Sequence, residues 1–146
     1  MAELTANQVL ISRGSWVEVS LDHPRFSKSW YKATVLRLCT QKIQVKLQNL
    51  SDPDTNGPLI RFVDLERVRP IPPPDHPGVR FFEGMKVNVK EDGGWWEALI
   101  LTVHDSIEKF TVFMESNWTI RQFSGSELRM HWVWDNNWVL PTQHQE

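Results

Sequence analysis

A single cysteine, Cys39, stands among 146 residues, so no disulfide can form within the chain. A thiolate metal cluster is excluded for the same reason, and a lone thiol suits a reducing compartment. Cys39 ends an apolar, strand-like run and is expected to be buried filler. No apolar run approaches the roughly 18–20 residues that cross a bilayer as a helix, so no membrane is expected among the partners. Residues 1–11 lack a charged stretch followed by a long apolar one, so a secretory signal is not expected. The glycosylation-type tripeptides starting at Asn49 and Asn117 are then chance matches. The histidines, at 23, 76, 104, 131 and 144, lack the short spacings of a zinc site. There is no phosphate-cradling glycine loop and no nucleophile elbow. These absences point away from a catalytic residue, a metal or a cofactor.

Positive charge is scarce in the second half. Residues 75–146 carry six Lys/Arg against eleven Asp/Glu, a net of −5, whereas residues 1–74 carry ten against seven, a net of +3. General binding to a phosphate backbone needs clustered positive charge, which makes nucleic acid the less expected partner. An acidic half suits a basic partner, or is merely a solvated surface.

What the chain has in excess is tryptophan, eight of them, with nine prolines. It also repeats itself. Gly14-Ser15-Trp16-Val17-Glu18-Val19 returns as Gly84-Met85-Lys86-Val87-Asn88-Val89. Trp30-Tyr31-Lys32-Ala33-Thr34-Val35-Leu36 returns as Trp95-Trp96-Glu97-Ala98-Leu99-Ile100-Leu101. Gln44-Val45-Lys46-Leu47 corresponds to Thr111-Val112-Phe113-Met114, and Val63 to Arg69 corresponds to Phe123 to Arg129. The offset shifts only between blocks, where loops absorb length changes cheaply.

Each block alternates apolar and polar residues, the period of a half-buried strand. Leu36 and Leu38 break the alternation, which predicts a bent or doubly covered strand. Asp92-Gly93-Gly94 is a hairpin turn signal. Ser124 with Glu127, and Asp64 with Glu66, mark tight helical turns before a last short strand. Four to five short strands per copy fit a small closed barrel. Residues 73–79, rich in proline, form a stiff linker between a first barrel at 8–72 and a second at 80–141.

Taken together, Gly-x-x-Val-Glu-Val, Trp-Tyr-x-Ala-x-Val and Val-Asp-Leu-x-x-Val-Arg-Pro-x-Pro-Pro resemble the first module of a plant tandem Agenet pair. Phe82-x-Gly84-x-x-Val87, Gly94-Trp95-Trp96-x-Ala98 and Glu127-Leu128-Arg129-x-His131-x-x-Trp134 resemble the second, and the likeness runs from about Ser12 to Val139. Agenet modules are Tudor-like. The resemblance implies an all-β chain of two tandem five-stranded barrels, a nuclear location and recognition of a methylated lysine on a histone H3 tail. It implies in particular a heterochromatin-associated mark and a binding rather than catalytic role, with other chromatin proteins as further partners.

A methylated ammonium keeps its charge but loses donors, so it is held by aromatic faces at about 0.5–2 kcal/mol each. By similarity, Tyr31 and Trp96 fall where a cage ring sits, and Phe26, Trp30 and Tyr31 are expected to form the cage. Because Trp30 and Trp95 recur in both copies, they serve the fold as readily as the site. Leu47 and Leu50 stand where related barrels place a further ring, leaving the first cage open on one side. Trp96 and Trp118 make a second candidate pocket, with Lys90 near its rim.

Asp52, Asp54, Glu91, Asp92, Glu97 and Glu115 are candidate acids for a basic tail, or ordinary turn and surface residues. Trp132, Trp134 and Trp138 surround a turn at 135–137 and are expected to cap the second barrel. The alternatives to a reader are a single-stranded RNA binder and a protein-interaction scaffold with a degenerate cage.

Overall fold

The computed structural model describes residues 11–21 and 29–140. The chain divides into two compact units, 1–72 and 73–146. Within the first, the alternating blocks become β1 (Trp16–Val19), β2 (Ser29–Leu38), β3 (Lys42–Ser51), β4 (Pro58–Asp64) and β5 (Val68–Pro70). The second repeats the series as β6 (Lys86–Glu91), β7 (Gly94–His104), β8 (Lys109–Met114), β9 (Thr119–Ser124) and β10 (Leu128–Met130). All pairings are antiparallel. In each unit the first four strands pair in sequence order, and the fifth returns to the outer edge of the first.

The repeats seen in the sequence fall on equivalent elements and face the same way. Val17, Val19, Ala33, Val35, Val45, Leu47, Val63 and Val68 are buried in the first unit. Their counterparts Val87, Val89, Ala98, Ile100, Val112, Met114, Phe123 and Leu128 are buried in the second. Each fully buried aliphatic side chain of this kind contributes about 1.5–3 kcal/mol.

The broken alternation at Leu36 has a specific cause. The register of β2 on β3 shifts between Val35 and Arg37, and that of β7 on β8 shifts between Ile100 and Thr102, the same place in both copies. A bulge inserts one residue, bends the strand and re-phases its faces. That is how a ten-residue strand curls around a small core without burying Leu38, which is 54% exposed.

The Asp92–Gly93 turn joins β6 to β7 with Glu91 opposite Gly94, and both central residues have positive φ (49° and 79°). This is the backbone that a two-residue hairpin requires and that Gly and Asp tolerate. Asp75, in the proline-rich stretch, accepts from the backbone N–H of Met130 at 3.1 Å, which ties the expected linker to the second unit.

Two expectations need correction. The sheets are not closed barrels: β4 pairs with β3 and β9 with β8, and among the described residues no ladder joins either to the final strand. The chain instead crosses from β4 to β5 through a three-residue 3-10 turn, Leu65–Arg67, and from β9 to β10 through Gly125–Glu127. Cys39 is exposed, not buried. It sits in the tight β2–β3 turn, its N–H donating to the carbonyl of Lys42 at 2.9 Å.

The turn at Gly125–Glu127 carries the expected capping box. The Glu127 carboxylate accepts from the Ser124 backbone N–H and from its hydroxyl, each at 3.0 Å. The Asp64 turn has no such cap, because Asp64 pairs with Lys42 at 3.0 Å instead. The Ser124 backbone N–H first, then its hydroxyl and the charges of Lys109 and Arg121, lower the Glu127 pKa against a small opposing burial effect.

A depressed folded-state pKa gives stability that is present above the unfolded value and lost as pH falls through the folded one. Glu127→Gln, which keeps the acceptor of the capping box but not its charge, should therefore destabilise the second unit by about 0.5 kcal/mol at pH 7, the size of a charge interaction at a helix N-terminus. Denaturant titrations should show the gap between wild type and variant closing as pH falls below the ordinary carboxylate range.

Candidate functional site

Trp30–Tyr31 and Trp95–Trp96 are adjacent along β2 and β7, and alternation sends the two rings of each pair to opposite faces. Tyr31 and Trp96 lie on the inward faces of β2 and β7, 1% and 7% exposed, beside Ala33 and Ala98. The small alanine makes room for the large ring. Neither ring stands on an open rim, and Trp96 is further tied by its indole N–H to the Glu91 carbonyl at 2.8 Å.

Trp30 and Trp95, one residue earlier, are half-buried. Arg69 on β5 stacks over Trp30 at 3.8 Å from the ring centroid, and Arg129 on β10 stacks over Trp95 at 4.4 Å. Each tryptophan thus has a cation on one face already. Phe26 lies outside the described residues.

The arginines are anchored differently in the two copies. In the first, Glu18 lies opposite Arg69 across the β1–β5 ladder. Its Oε1 accepts from Arg69 Nη2 at 2.8 Å and Nε at 3.2 Å, with both side chains buried. In the second, Asn88 occupies the Glu18 position, and its Oδ1 accepts from Arg129 Nε at 3.4 Å. The Asn88 amide nitrogen then faces His131 Nδ1 at 3.0 Å, while His131 Nε2 meets Glu97 at 3.3 Å. With Nδ1 accepting from the amide, the ring proton sits on Nε2 toward Glu97. The carboxylate that stands on β1 in the first unit has moved to β7 in the second, where the first has Lys32.

The second expected pocket does not form. Trp118 packs edge to face on Phe113, with centroids 5.8 Å apart, on the outer side of the sheet, whereas Trp96 points inward. Among the expected acids, Glu91 pairs with Arg121, Glu97 with His131 and Glu115 with Lys86 at 3.7 Å. The Asp52 carboxylate accepts from the Asp54 N–H at 2.8 Å, which is turn chemistry. Asp54 and Asp92 are left exposed with open carboxylates. Trp134 and Trp138 face each other across a short hairpin, β11 (Val133–Trp134) with β12 (Trp138–Val139). Their centroids are 5.0 Å apart, and Trp132 lies 6.4 Å from Trp138.

An open cavity of about 610 Å³ in the first unit runs along β4. Leu21, Leu50, Leu59 and Phe62 supply its apolar wall, and Lys42, Arg61 and Asp64 its polar edge. Leu50 therefore does line a cavity, but among the described residues Phe62 is its one aromatic ring, and Arg61 would repel a second cation. Phe62, Phe113 and Ile120 were missed in the sequence because outward apolar residues in a strand look like ordinary core candidates.

Residues 14–73 match the Agenet domain family model. DUF724 domain-containing protein 6 of Arabidopsis thaliana is 30% identical over 137 residues, covering 90% of this chain and 19% of that protein. Protein AGENET DOMAIN (AGD)-CONTAINING P1 of the same plant is 29% identical, covering 92% of this chain and 26% of that protein. The chain thus spans about a fifth to a quarter of the length of these curated relatives.

Among solved structures, Arabidopsis thaliana AGDP1 AGD34 superposes with a TM-score of 0.83 at 28% identity over 91% of both chains. The ADCP1 tandem Agenet domain 3-4 superposes with a TM-score of 0.81 at 26% identity, over 93% of this chain and 92% of that one.

Removing one partner of a buried ion pair strands the other charge, at about 3–5 kcal/mol. Glu18→Ala should destabilise the first unit by about that much in denaturant unfolding. Glu18→Leu combined with Arg69→Met, which removes both charges, should recover most of the loss.

Proposed function

Because the chain belongs to the Agenet domain family through residues 14–73 and folds as solved tandem Agenet domains do, we propose that it is a non-catalytic chromatin reader. Its proposed ligand is a methylated lysine on a histone H3 tail, carrying a heterochromatin-associated mark, and its proposed location is the nucleus. The observation that carries this reading is the fold likeness, which covers more than nine-tenths of the chain.

The chemistry asks for aromatic faces held still before the ligand arrives, since ordering them on binding would consume affinity. Trp30 meets that requirement in that Arg69 fixes its ring from one side, 3.8 Å from the centroid. Trp30 and Phe26 are the proposed walls; Tyr31, on the opposite, inward face of β2, is left to the core. Acidic support for the rest of a basic tail falls to Asp54 and Asp92, whose carboxylates are open.

The burial of Tyr31 favours a second reading, a protein-interaction scaffold whose cage is degenerate. The two readings differ in their response to methylation.

A panel of H3-tail peptides differing only in methylation state should show micromolar binding, about −8 kcal/mol, for one methylated form. Trp30→Ala should weaken that peptide about tenfold while the unmodified one is unaffected, in keeping with the loss of one cation–π wall. Equal affinity for methylated and unmodified peptides would leave the scaffold reading standing.

A further inference from the structure

Among the described residues, four aromatic rings carry a cation supplied by the protein itself. Lys32 lies 4.6 Å from the Trp16 centroid, Arg69 3.8 Å from Trp30, Arg129 4.4 Å from Trp95 and Arg121 5.3 Å from Phe123. Trp118 is the most exposed of the large hydrophobic side chains described and is not one of these four. It is 82% exposed, its ring contact is with Phe113, and among the described residues no cation lies over it.

The backbone holds this ring in place. Trp118 has φ +61°, a region unfavourable to a bulky L-residue, so it persists only where its surroundings impose it. Its N–H donates to the Met114 carbonyl at 2.9 Å. The neighbouring Asn117 side chain accepts from the Thr119 N–H at 3.2 Å and from its hydroxyl at 2.6 Å. Phe113 stands against the indole at 84° between planes, forming one side of a corner.

Comparison of the two copies shows that the fold does not need this surface. Leu99, Phe113 and Ile120 lie in one row across β7, β8 and β9. The equivalent row across β2, β3 and β4 is Thr34, Lys46 and Ile60, in the same register. One copy thus folds with Thr34 and Lys46 where the other has Leu99 and Phe113, the isoleucine being common to both. Trp118 corresponds to Pro58, at the offset that relates Ile60 to Ile120.

The open ring lies in the half of the chain with a net charge of −5, which draws basic partners by long-range steering. The nearby Glu115 is balanced by Lys86 at 3.7 Å, so the attraction at the contact comes from the indole face. Guanidinium is the cation best suited to such a face, being planar and weakly hydrated, and three of the four internal stacks already use it. We infer that Trp118 stacks on an arginine side chain of an extended basic peptide, with Phe113 and Ile120 taking its aliphatic carbons. The site is separate from the methyl-lysine reading and stands whether or not that reading does.

The test uses the full chain and two basic ten-residue peptides that differ only in one central arginine or its neutral isostere citrulline. Affinities of wild type and variants are measured by titration calorimetry, and in the wild type the indole N–H resonance of Trp118, assigned through Trp118→Phe, reports whether the ring is at the contact. The arginine peptide should bind about tenfold more tightly than the citrulline peptide. Trp118→Ala should abolish that difference and leave citrulline binding unchanged, while Trp118→Phe should keep most of it. Unfolding curves should show that Trp118→Ala remains folded, because the side chain is exposed.

Equal affinity of wild type for both peptides would overturn the inference. So would an equal loss of both peptides in Trp118→Ala, which would mean simple apolar contact. Tight binding of a single-stranded RNA that depends on Trp118, without arginine-peptide binding, would assign the ring to base stacking instead.

Discussion

A five-stranded sheet that does not close by hydrogen bonds must be held shut by side chains. Here the closing element in each unit is a final strand of three residues paired to the edge of the first. So short a ladder is weak alone. The arginine at its centre, Arg69 or Arg129, reaches across the strands onto the tryptophan that opens the second strand of its unit. That stack, with its hydrogen bond to Glu18 or Asn88, joins three strands through one side chain. The same contact fixes the ring on which the proposed recognition depends, so stability and site geometry share a residue.

The two copies keep this device and change what surrounds it. Asn88 stands opposite Arg129 where Glu18 stands opposite Arg69, so the first strand of the second unit carries an amide in place of a carboxylate. The negative charge reappears at Glu97, bridged through His131, where the first unit has Lys32. On the outer face, Lys46 gives way to Phe113. Core positions stay apolar in both copies, with changes of size such as Val63 to Phe123, whereas the polar network and the outer row change in chemical character. Tight packing allows few alternatives in a small core, while an outer row is constrained mainly by what it meets. The differences between the copies are therefore more informative about binding than the similarities.

Much of the fold was legible before any coordinates. Alternation of Val17 with Val19 and of Ala33 with Val35 set strand type and inner face, and the internal repeat set the number of units. The Asp92–Gly93 turn and the Ser124–Glu127 capping box could be read because each depends on a few adjacent residues. The sequence misled at Tyr31 and Trp96. Adjacent aromatics such as Trp30 and Tyr31 necessarily face opposite ways, and the resemblance assigned the rim to the ring that the core took. It misled again at Cys39, where a tight turn ended the strand before the thiol could turn inward.

The sequence by itself determined local periodicity, turn chemistry, the two-unit plan and the uneven charge, since all are properties of neighbours along the chain. The tertiary structure alone decided which rings were already satisfied. Whether Arg69 covers Trp30 or Glu91 binds Arg121 depends on residues 30 or more positions apart brought within a few ångströms. Long-range pairings of that kind follow from strand register, and a one-residue slip in register would exchange every inward ring for an outward one.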